Sequence, residues 1–495
     1  MQRMQMRGIR QRSVRFRLTS VRPNRIVLVL APLVAWGAGS ALASGGRRAS
    51  LAIAIGLAVA GATILAPLVR DRLKTDFAAV ELPALFILLS ELVLRQRDAE
   101  SLASNPLDSA GLYRVGCLGL AALLGTLALT SSANERKGRI TTRPFRLYCL
   151  YVGVVFVGAP LSINLPLTAF RGVELLVGLV AVAGAYRRAG REAGKRLLAL
   201  FYWYLVTSVI SIWLGALIVP GSAFVPVDSP FPIQLHGLFP VISSNGTGML
   251  GAMIGLWSLA KLLSPQDRGA AERSTLLVLT VLGFATLTLA QYRTGYIATA
   301  AGLLVLLTLR ANAAAFWVVM VGLFVAILWS ANIAEVAAPI WQRGENQEVL
   351  SNLSGRINYW QGAIPVWESS PLFGRGLRTA SRFEVLAEMG STYTSTIHGT
   401  WVEALVGTGL VGLSLLAASF LLTSFRAFKE SLRPGGLIVP LLLLTILAVR
   451  SITGVSFENG GSGSLLLMTI ALLIPDPCRQ TRRDSISTSA GLSAS

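Results

Sequence analysis

Apolar runs of similar length return along almost the whole chain, and this recurrence constrains the fold more than any other feature. A bilayer core about 30 Å thick is crossed by about 20 apolar residues of helix. Runs near that length fall at 26–44, 50–69, 76–95, 109–131, 146–163, 172–186, 197–219, 241–262, 274–291, 295–309, 313–332, 398–423, 436–456 and 463–474. They mix Leu, Ala, Val and Gly without the two-residue alternation of a transmembrane β-barrel. Backbone groups in lipid must be bonded within their own segment, which leaves helices. The 48 glycines suit close helix approach. Mean hydropathy is +0.62, and charged residues are only 14% of 495, too few to solvate a soluble protein of this size. The expected fold is an all-α polytopic membrane protein of about 12–14 transmembrane helices with a helical cap on its outer face.

The formal net charge is +20. On a soluble domain this would point to nucleic acid. Here the charge sits mostly in tails and short loops and no stacking or groove-reading module accompanies it, so membrane topology accounts for it and nucleic acid is not an expected partner. Residues 1–25 hold eight arginines and no acid. The run behind them competes with a signal peptide ending at Ala-Leu-Ala 41–43, but its length and the many runs that follow favour a retained span. The segments 133–146, 187–196 and 424–434 are basic and lie an even number of spans apart, whereas 220–240 and 457–463 lack Lys and Arg. The positive-inside rule makes the first set cytoplasmic and the second external.

These readings divide the chain into a basic cytoplasmic tail (1–25), a transmembrane bundle (26–332), an extracytoplasmic loop with an amphipathic helix (333–397), C-terminal transmembrane helices (398–474) and a cytoplasmic tail (475–495). The Ser/Ala/Gly composition of 485–495 predicts disorder. Both termini are expected in the cytoplasm of a cell with this as an inner-membrane protein. Cys117, Cys149 and Cys478 form no pairing pattern, and His236 and His398 are too few for a His/Cys zinc cluster. No acidic pair stands out, so neither a tightly held metal nor a cofactor is expected.

Three stretches carry chemistry. In 354–376, Ile357, Trp360, Ile364 and Trp367 recur at helical spacing. Tryptophans on an amphipathic helix favour the headgroup zone, so this helix either rests on the bundle or shapes a lipid-facing cleft. Ser370-Pro371 ends it, and Gly374 and Gly376 allow a tight turn. His398, in the first turn expected of the 398–423 span, is either a structural hydrogen-bonding residue or a general base, since neutral imidazole accepts a hydroxyl proton near pH 7. Arg293 sits at the tight turn Gln291-Tyr-Arg-Thr-Gly295, where it either snorkels or binds phosphate through its planar fork.

The three stretches together resemble the O-antigen ligase and O-antigen polymerase superfamily of bacterial membrane glycosyltransferases. The first resembles its Ser-Gly-Arg…Trp…Pro-Leu-x-Gly-x-Gly motif through Ser354, Gly355, Arg356, Trp360, Pro371, Leu372, Gly374 and Gly376. The second resembles His-Asn-x-x-Leu…Glu-x-Gly-x-x-Gly through His398, Thr400, Gly409 and Gly412, and the third its arginine turn through Arg293. Residues 237–245 echo an Arg-x-x-Gly…Pro-Asn stretch that ends at Asn245. The chain departs at Gly399, where Asn is usual, at Gly407, where Glu is usual, at Gln234, where Arg is frequent, and at Ser244, where Pro is common. Ordered similarity covers 234–413.

The resemblance implies a GT-C-like fold and an enzyme that transfers a glycan from an undecaprenyl-diphosphate carrier, outside the membrane and without a metal, to another glycan or to lipid A-core. His398 would deprotonate the acceptor hydroxyl, with inversion at the anomeric carbon. Arg293 and Arg356 would stabilise the diphosphate, with Arg375, Arg378, Asn245, Arg382 and Arg450 as secondary candidates. Arg450 near mid-bilayer would cost about 2.5–3.5 kcal/mol, so it snorkels or lines the site; Glu81 and Glu91 raise the same question. The rival classes are a transporter of a lipid-linked sugar or small anion, which would place polar residues on broken helices near the midplane, and a non-catalytic envelope scaffold, which would tolerate substitution of His398 and Arg293.

Overall fold

The computed structural model describes residues 77–92, 109–130, 142–227, 232–264, 268–310, 355–390, 396–433 and 435–474. The expected tails, the expected spans 26–44, 50–69 and 313–332, and the cap before residue 355 lie outside the described residues.

Helices dominate. In chain order they are α1 (Leu82–Ser90), α2 (Ser109–Thr130), α3 (Arg143–Gly158), α4 (Leu165–Ala189), α5 (Arg191–Ile218), α6 (Ser244–Leu262), α7 (Ala270–Ala290), α8 (Arg293–Arg310), α9 (Arg356–Glu368), α10 (Thr400–Ser431), α11 (Val439–Thr453) and α12 (Ser462–Leu473). Among the described residues, six helices are long and apolar enough to cross a membrane: α2, α3, α4, α5, α7 and α10. The protein is therefore an all-α, multi-pass membrane protein. Leu112, Leu120, Leu123 and Leu127 stay exposed along α2. In water such a stripe would be an aggregation liability; in a bilayer it meets lipid.

Local chemistry sets the helix ends. Prolines open α1, α3, α4 and α11, where a missing N–H leaves no helical bond unmade. Asn164 caps α4 by accepting from the Leu167 amide at 3.1 Å. Gly190, with φ +59°, turns the chain from α4 into α5 in one residue. Residues 187–196 are thus two helix ends, and both helices outrun the apolar runs that mark them. α6 and α7 pack almost backbone to backbone: a Cβ on Gly251 would lie 2.6 Å from the Gly283 carbonyl oxygen, and one on Gly283 would lie 2.6 Å from the Gly255 nitrogen.

Following the helices end to end sorts their termini into two groups. At one end stand Arg187, Arg188, Arg191, Arg196, Arg268, Arg310, Lys429 and Arg433. Contacts tie this end together: Arg196 pairs with Glu81 at 2.5 Å, and Arg310 donates to the Gly436 carbonyl. At the opposite end Thr294, opening α8, bonds Thr453 at 2.8 Å, and Thr400, opening α10, donates from both its amide and its hydroxyl to the Gly454 carbonyl.

Four features depart from the sequence reading. The expected external loop 220–240 and the first two residues of the expected span 241–262 form two small antiparallel pairs, β1 (Phe224–Pro226) with β2 (Ile233–Leu235) and β3 (Gly237–Leu238) with β4 (Val241–Ile242). The stretch 457–463, expected on the external side, packs into the protein rather than lying open to solvent. Phe457 and Glu458 are fully buried, with their carbonyls held by Tyr148 at 2.8 Å and Tyr151 at 2.5 Å. Phe457 stacks on Phe420 at 4.5 Å between centroids. In α9 the buried residues are Ala363 and Val366, with Tyr359 and Trp367 packed beside them, while Ile364 of the expected stripe is 50% exposed. Small residues let the helix lie close on the bundle; the large Ile364 points away from it.

The fourth departure is the break in α10. At Gly409 the backbone leaves helical geometry (φ 65°, ψ −170°), which opens the helical bonds from Leu410 to Val406 and from Val411 to Gly407. Residues 371–376 refill all four groups. The amides of Arg375 and Gly376 donate to the carbonyls of Val406 and Gly407, and the amides of Leu410 and Val411 donate to the carbonyls of Pro371 and Leu372, at 2.8–3.2 Å. This explains the paired glycine motifs: a Cβ on Gly374 would lie 2.5 Å from Thr408 N, and one on Gly409 would lie 2.3 Å from the Leu372 carbonyl carbon.

Candidate active site

His398 is not in the first turn of α10, as its place in the apolar run suggests; it stands two residues ahead of the helix, in the left-handed region with φ +52°. A non-glycine residue held there needs surrounding contacts. Thr396 supplies two, its hydroxyl lying 3.4 Å from both the His398 amide and Nδ1. Trp360 donates from Nε1 to the Ile397 carbonyl at 3.1 Å, which docks α9 onto the turn. A Cβ on Gly399 would lie 3.2 Å from that same Nε1, so the indole occupies the space of the larger residue usual at this position.

Arg356 opens α9, one turn before Trp360, and faces His398 closely enough to bear on its titration. Arg378, two residues beyond the splice, also bears on the imidazole through its charge, with its own backbone left-handed at φ +65°. Burial first, then the charges of Arg356 and Arg378, lower the His398 pKa to about 4. The imidazole is neutral at pH 7, the form that accepts a proton. Burial also lowers the Arg378 pKa, opposed by Glu403.

Arg378 leads into a cavity of about 250 Å³ at the same end of the bundle. Arg114 of α2, Arg171 of α4 and Arg450 of α11 line it together with Arg378 and Glu91. Its wall includes Ser456, Asn459 and Gly460 of the buried loop, and Phe201, Leu205, Met249 and Met253 make its deep side apolar. Glu174 holds Arg114 and Arg171 at 2.7 Å each. Buried donors still lack acceptors here: Arg114 Nε, Arg171 Nε, Arg378 Nη1 and Ser456 Oγ. A buried polar group without a partner is expensive. Four arginines around one space, three of them with a spare N–H, fit a multiply charged oxyanion, such as a phosphate or diphosphate.

The other sequence candidates distribute around this centre. Arg293 opens α8 beside the Thr294–Thr453 bond, at the same end as Gly454 and the His398 turn, but it does not line the cavity. Arg375 pairs with Glu384 at 3.3 Å, and Arg382 lies over the Phe383 ring; neither lines the cavity. Asn245 is exposed in the first turn of α6, although Gly246 beside it lines the cavity. His236 bonds Gln234 at 3.1 Å, away from this lining. Of the two acids in doubt, Glu81 is a buried ion-pair partner of Arg196, and Glu91 lines the cavity. The motifs do not pick out Arg114, Arg171, Ser456 or Asn459. The available signal was an arginine inside or beside an apolar run, which needs a partner or a function.

Residues 278–417 match the protein family described as O-antigen ligase. The matched stretch contains Arg293, Arg356, Arg375, Arg378 and His398 and supports the superfamily that the motifs resemble. Arg114, Arg171, Arg450 and the buried loop fall outside it. No curated protein matches the chain.

Proposed function

From the premise that residues 278–417 are an O-antigen ligase domain within a multi-pass membrane protein, we propose an inverting glycosyltransferase of cell-surface polysaccharide synthesis. Its donor is a glycan on undecaprenyl diphosphate, and its acceptor is a second glycan or lipid A-core. The observation that carries this reading is the adjacency of a neutral histidine to a cavity of incompletely partnered arginines, joined by Arg378.

His398 takes the proton of the acceptor hydroxyl as that oxygen attacks the anomeric carbon. The carbon–oxygen bond to the diphosphate breaks on the opposite face, which inverts the centre. The diphosphate leaves with an added negative charge, and Arg114, Arg171, Arg378 and Arg450 stabilise it, with Arg293 and Arg356 flanking the reacting end. Fixed cations in a site of low dielectric act strongly on such developing charge. The reaction so drawn uses arginines where other transferases use a metal. A base with a pKa near 4 is weak for this task, but a bound diphosphate offsets the charge of Arg378 and raises the proton affinity of the imidazole.

The basic helix ends lie toward the cytoplasm under the positive-inside rule. The cavity then opens at the outer face of the inner membrane, with both termini cytoplasmic. Incubating purified protein with lipid-linked repeat units, with and without a core acceptor, tests the reading and separates polymerase from ligase. Transfer lost in His398→Ala with membrane insertion intact supports it. Flipping or uptake in proteoliposomes without transfer would replace it with a transporter.

A further inference from the structure

Helix packing places the backbones of the cavity arginines without help from their guanidiniums. Arg114 lies on α2 and Arg171 on α4. About three turns further along each helix, the two pack almost backbone to backbone. A Cβ on Gly184 would lie 2.7 Å from the Gly125 carbonyl oxygen, and one on Gly125 would lie 3.1 Å from the Ala181 Cα. One turn before Arg171, the Thr168 hydroxyl meets that of Thr379, the residue after Arg378, at 2.7 Å. These contacts leave open where the long side chains point. Like charges repel, and the Arg114 side chain, 33% exposed, has room to turn outward.

Glu174, one turn beyond Arg171 on α4, settles their direction. Its side chain is 2% exposed and divides between the two arginines. Arg171 Nη1 donates to Oε2 at 2.7 Å, and Arg114 Nη2 forms an ion pair with Oε1 at 2.7 Å, outside hydrogen-bond alignment. Each arginine gives Glu174 a terminal nitrogen and keeps a buried Nε without an acceptor. Gly460 of the buried loop closes on the root of the glutamate: a Cβ there would lie 2.6 Å from the Glu174 Cβ. Arg114, Arg171 and Gly460 line the cavity, and Glu174 stands behind them.

We propose that Glu174 is a positioning residue for the donor diphosphate: it holds Arg114 and Arg171 side by side so that both serve one oxyanion. This deepens the reading of the cavity as the diphosphate site and rests on it. Glu174 acts on the substrate through the two arginines alone. A carboxylate beside an anion site opposes the anion by its charge and helps it by geometry, so charge balance and positioning predict effects of opposite sign.

Inorganic pyrophosphate, as a competitive inhibitor of transfer from a lipid-linked donor by purified full-length protein, reads that sign. Glu174→Gln removes the charge, whereas Glu174→Asp keeps it and shortens the reach by one methylene. Positioning predicts weaker inhibition in both, by about tenfold for Glu174→Gln and about threefold or more for Glu174→Asp, with donor KM rising in step and acceptor KM unmoved. In an Arg114→Gln background, Glu174→Gln should cost less than about threefold, because one of the two side chains it aligns is gone. If Glu174→Gln does not fold, Glu174→Asp, which keeps a carboxylate within the same helix as Arg171, carries the test by itself. Tighter inhibition in Glu174→Gln, unchanged inhibition in Glu174→Asp, or losses confined to kcat or thermal stability would overturn the proposal and leave Glu174 a charge-balancing residue. If pyrophosphate does not inhibit the wild type, or if Arg114→Gln and Arg378→Gln leave its inhibition unchanged, the cavity is not the diphosphate site and the reading beneath the proposal fails with it.

Discussion

The two ends of the bundle are both rich in arginine and lysine, and they use them in opposite ways. At the basic end the charges have single partners: Arg196 with the buried Glu81 across helices, and Lys195 with Glu192 and Arg433 with Glu430 at the surface. Such exposed pairs contribute little. At the cavity end Arg114, Arg171 and Arg378 are drawn from two membrane helices and the cap, and each keeps a buried N–H without an acceptor. Residue type alone does not separate the ends. Burial alone does not either, since Arg426 near the basic end is also buried; convergence of several arginines on one cavity does.

The largest expected contrast comes from the histidine at the cavity end. His398→Ala should lower transfer by about 10²–10⁴-fold, read as label moved from lipid-linked donor to acceptor. Arg114→Gln leaves Glu174 paired with Arg171, so the bundle should fold while donor kcat/KM falls by about tenfold or more, as for loss of a charged hydrogen bond. Gly409→Ala tests the splice: a side chain in that backbone region costs about 1–3 kcal/mol before any clash with Leu372, a loss that thermal unfolding in detergent should register. The pH profile sharpens the comparison further. The acid limb of kcat/KM reports free enzyme and should lie near pH 4, whereas that of kcat reports the donor complex and should lie higher. At the other end of the molecule, Arg433→Gln should change transfer by less than about twofold.

Much of this was legible in the sequence, and the rest failed for identifiable reasons. Apolar length located the helices because a bilayer demands it of each segment separately. It misplaced their ends where charged residues such as Arg187 and Arg191 continue the helix into the headgroup zone. The glycine motifs marked 374, 376 and 409, but that 371–376 inserts into the break at 409 is a pairing across about 35 residues of chain, which no local pattern encodes. The α9 face was misread at Ile364, because the intimate contact is made by Ala363 and Val366, with Trp360 and Trp367 beside them. The motifs reached His398, Arg356 and Arg378; Arg114 and Arg171 became part of the site only when tertiary packing gathered them around Glu174.

The splice between 371–376 and α10 also bears on how the protein is assembled. A helix opened at Gly409 enters the membrane with two carbonyls and two amides lacking their helical partners, and lipid offers none. The cap loop supplies them from earlier in the chain, so the loop and this span must reach their places together. The last helices are therefore a fully bonded part of the bundle only with the cap loop folded down onto the first of them.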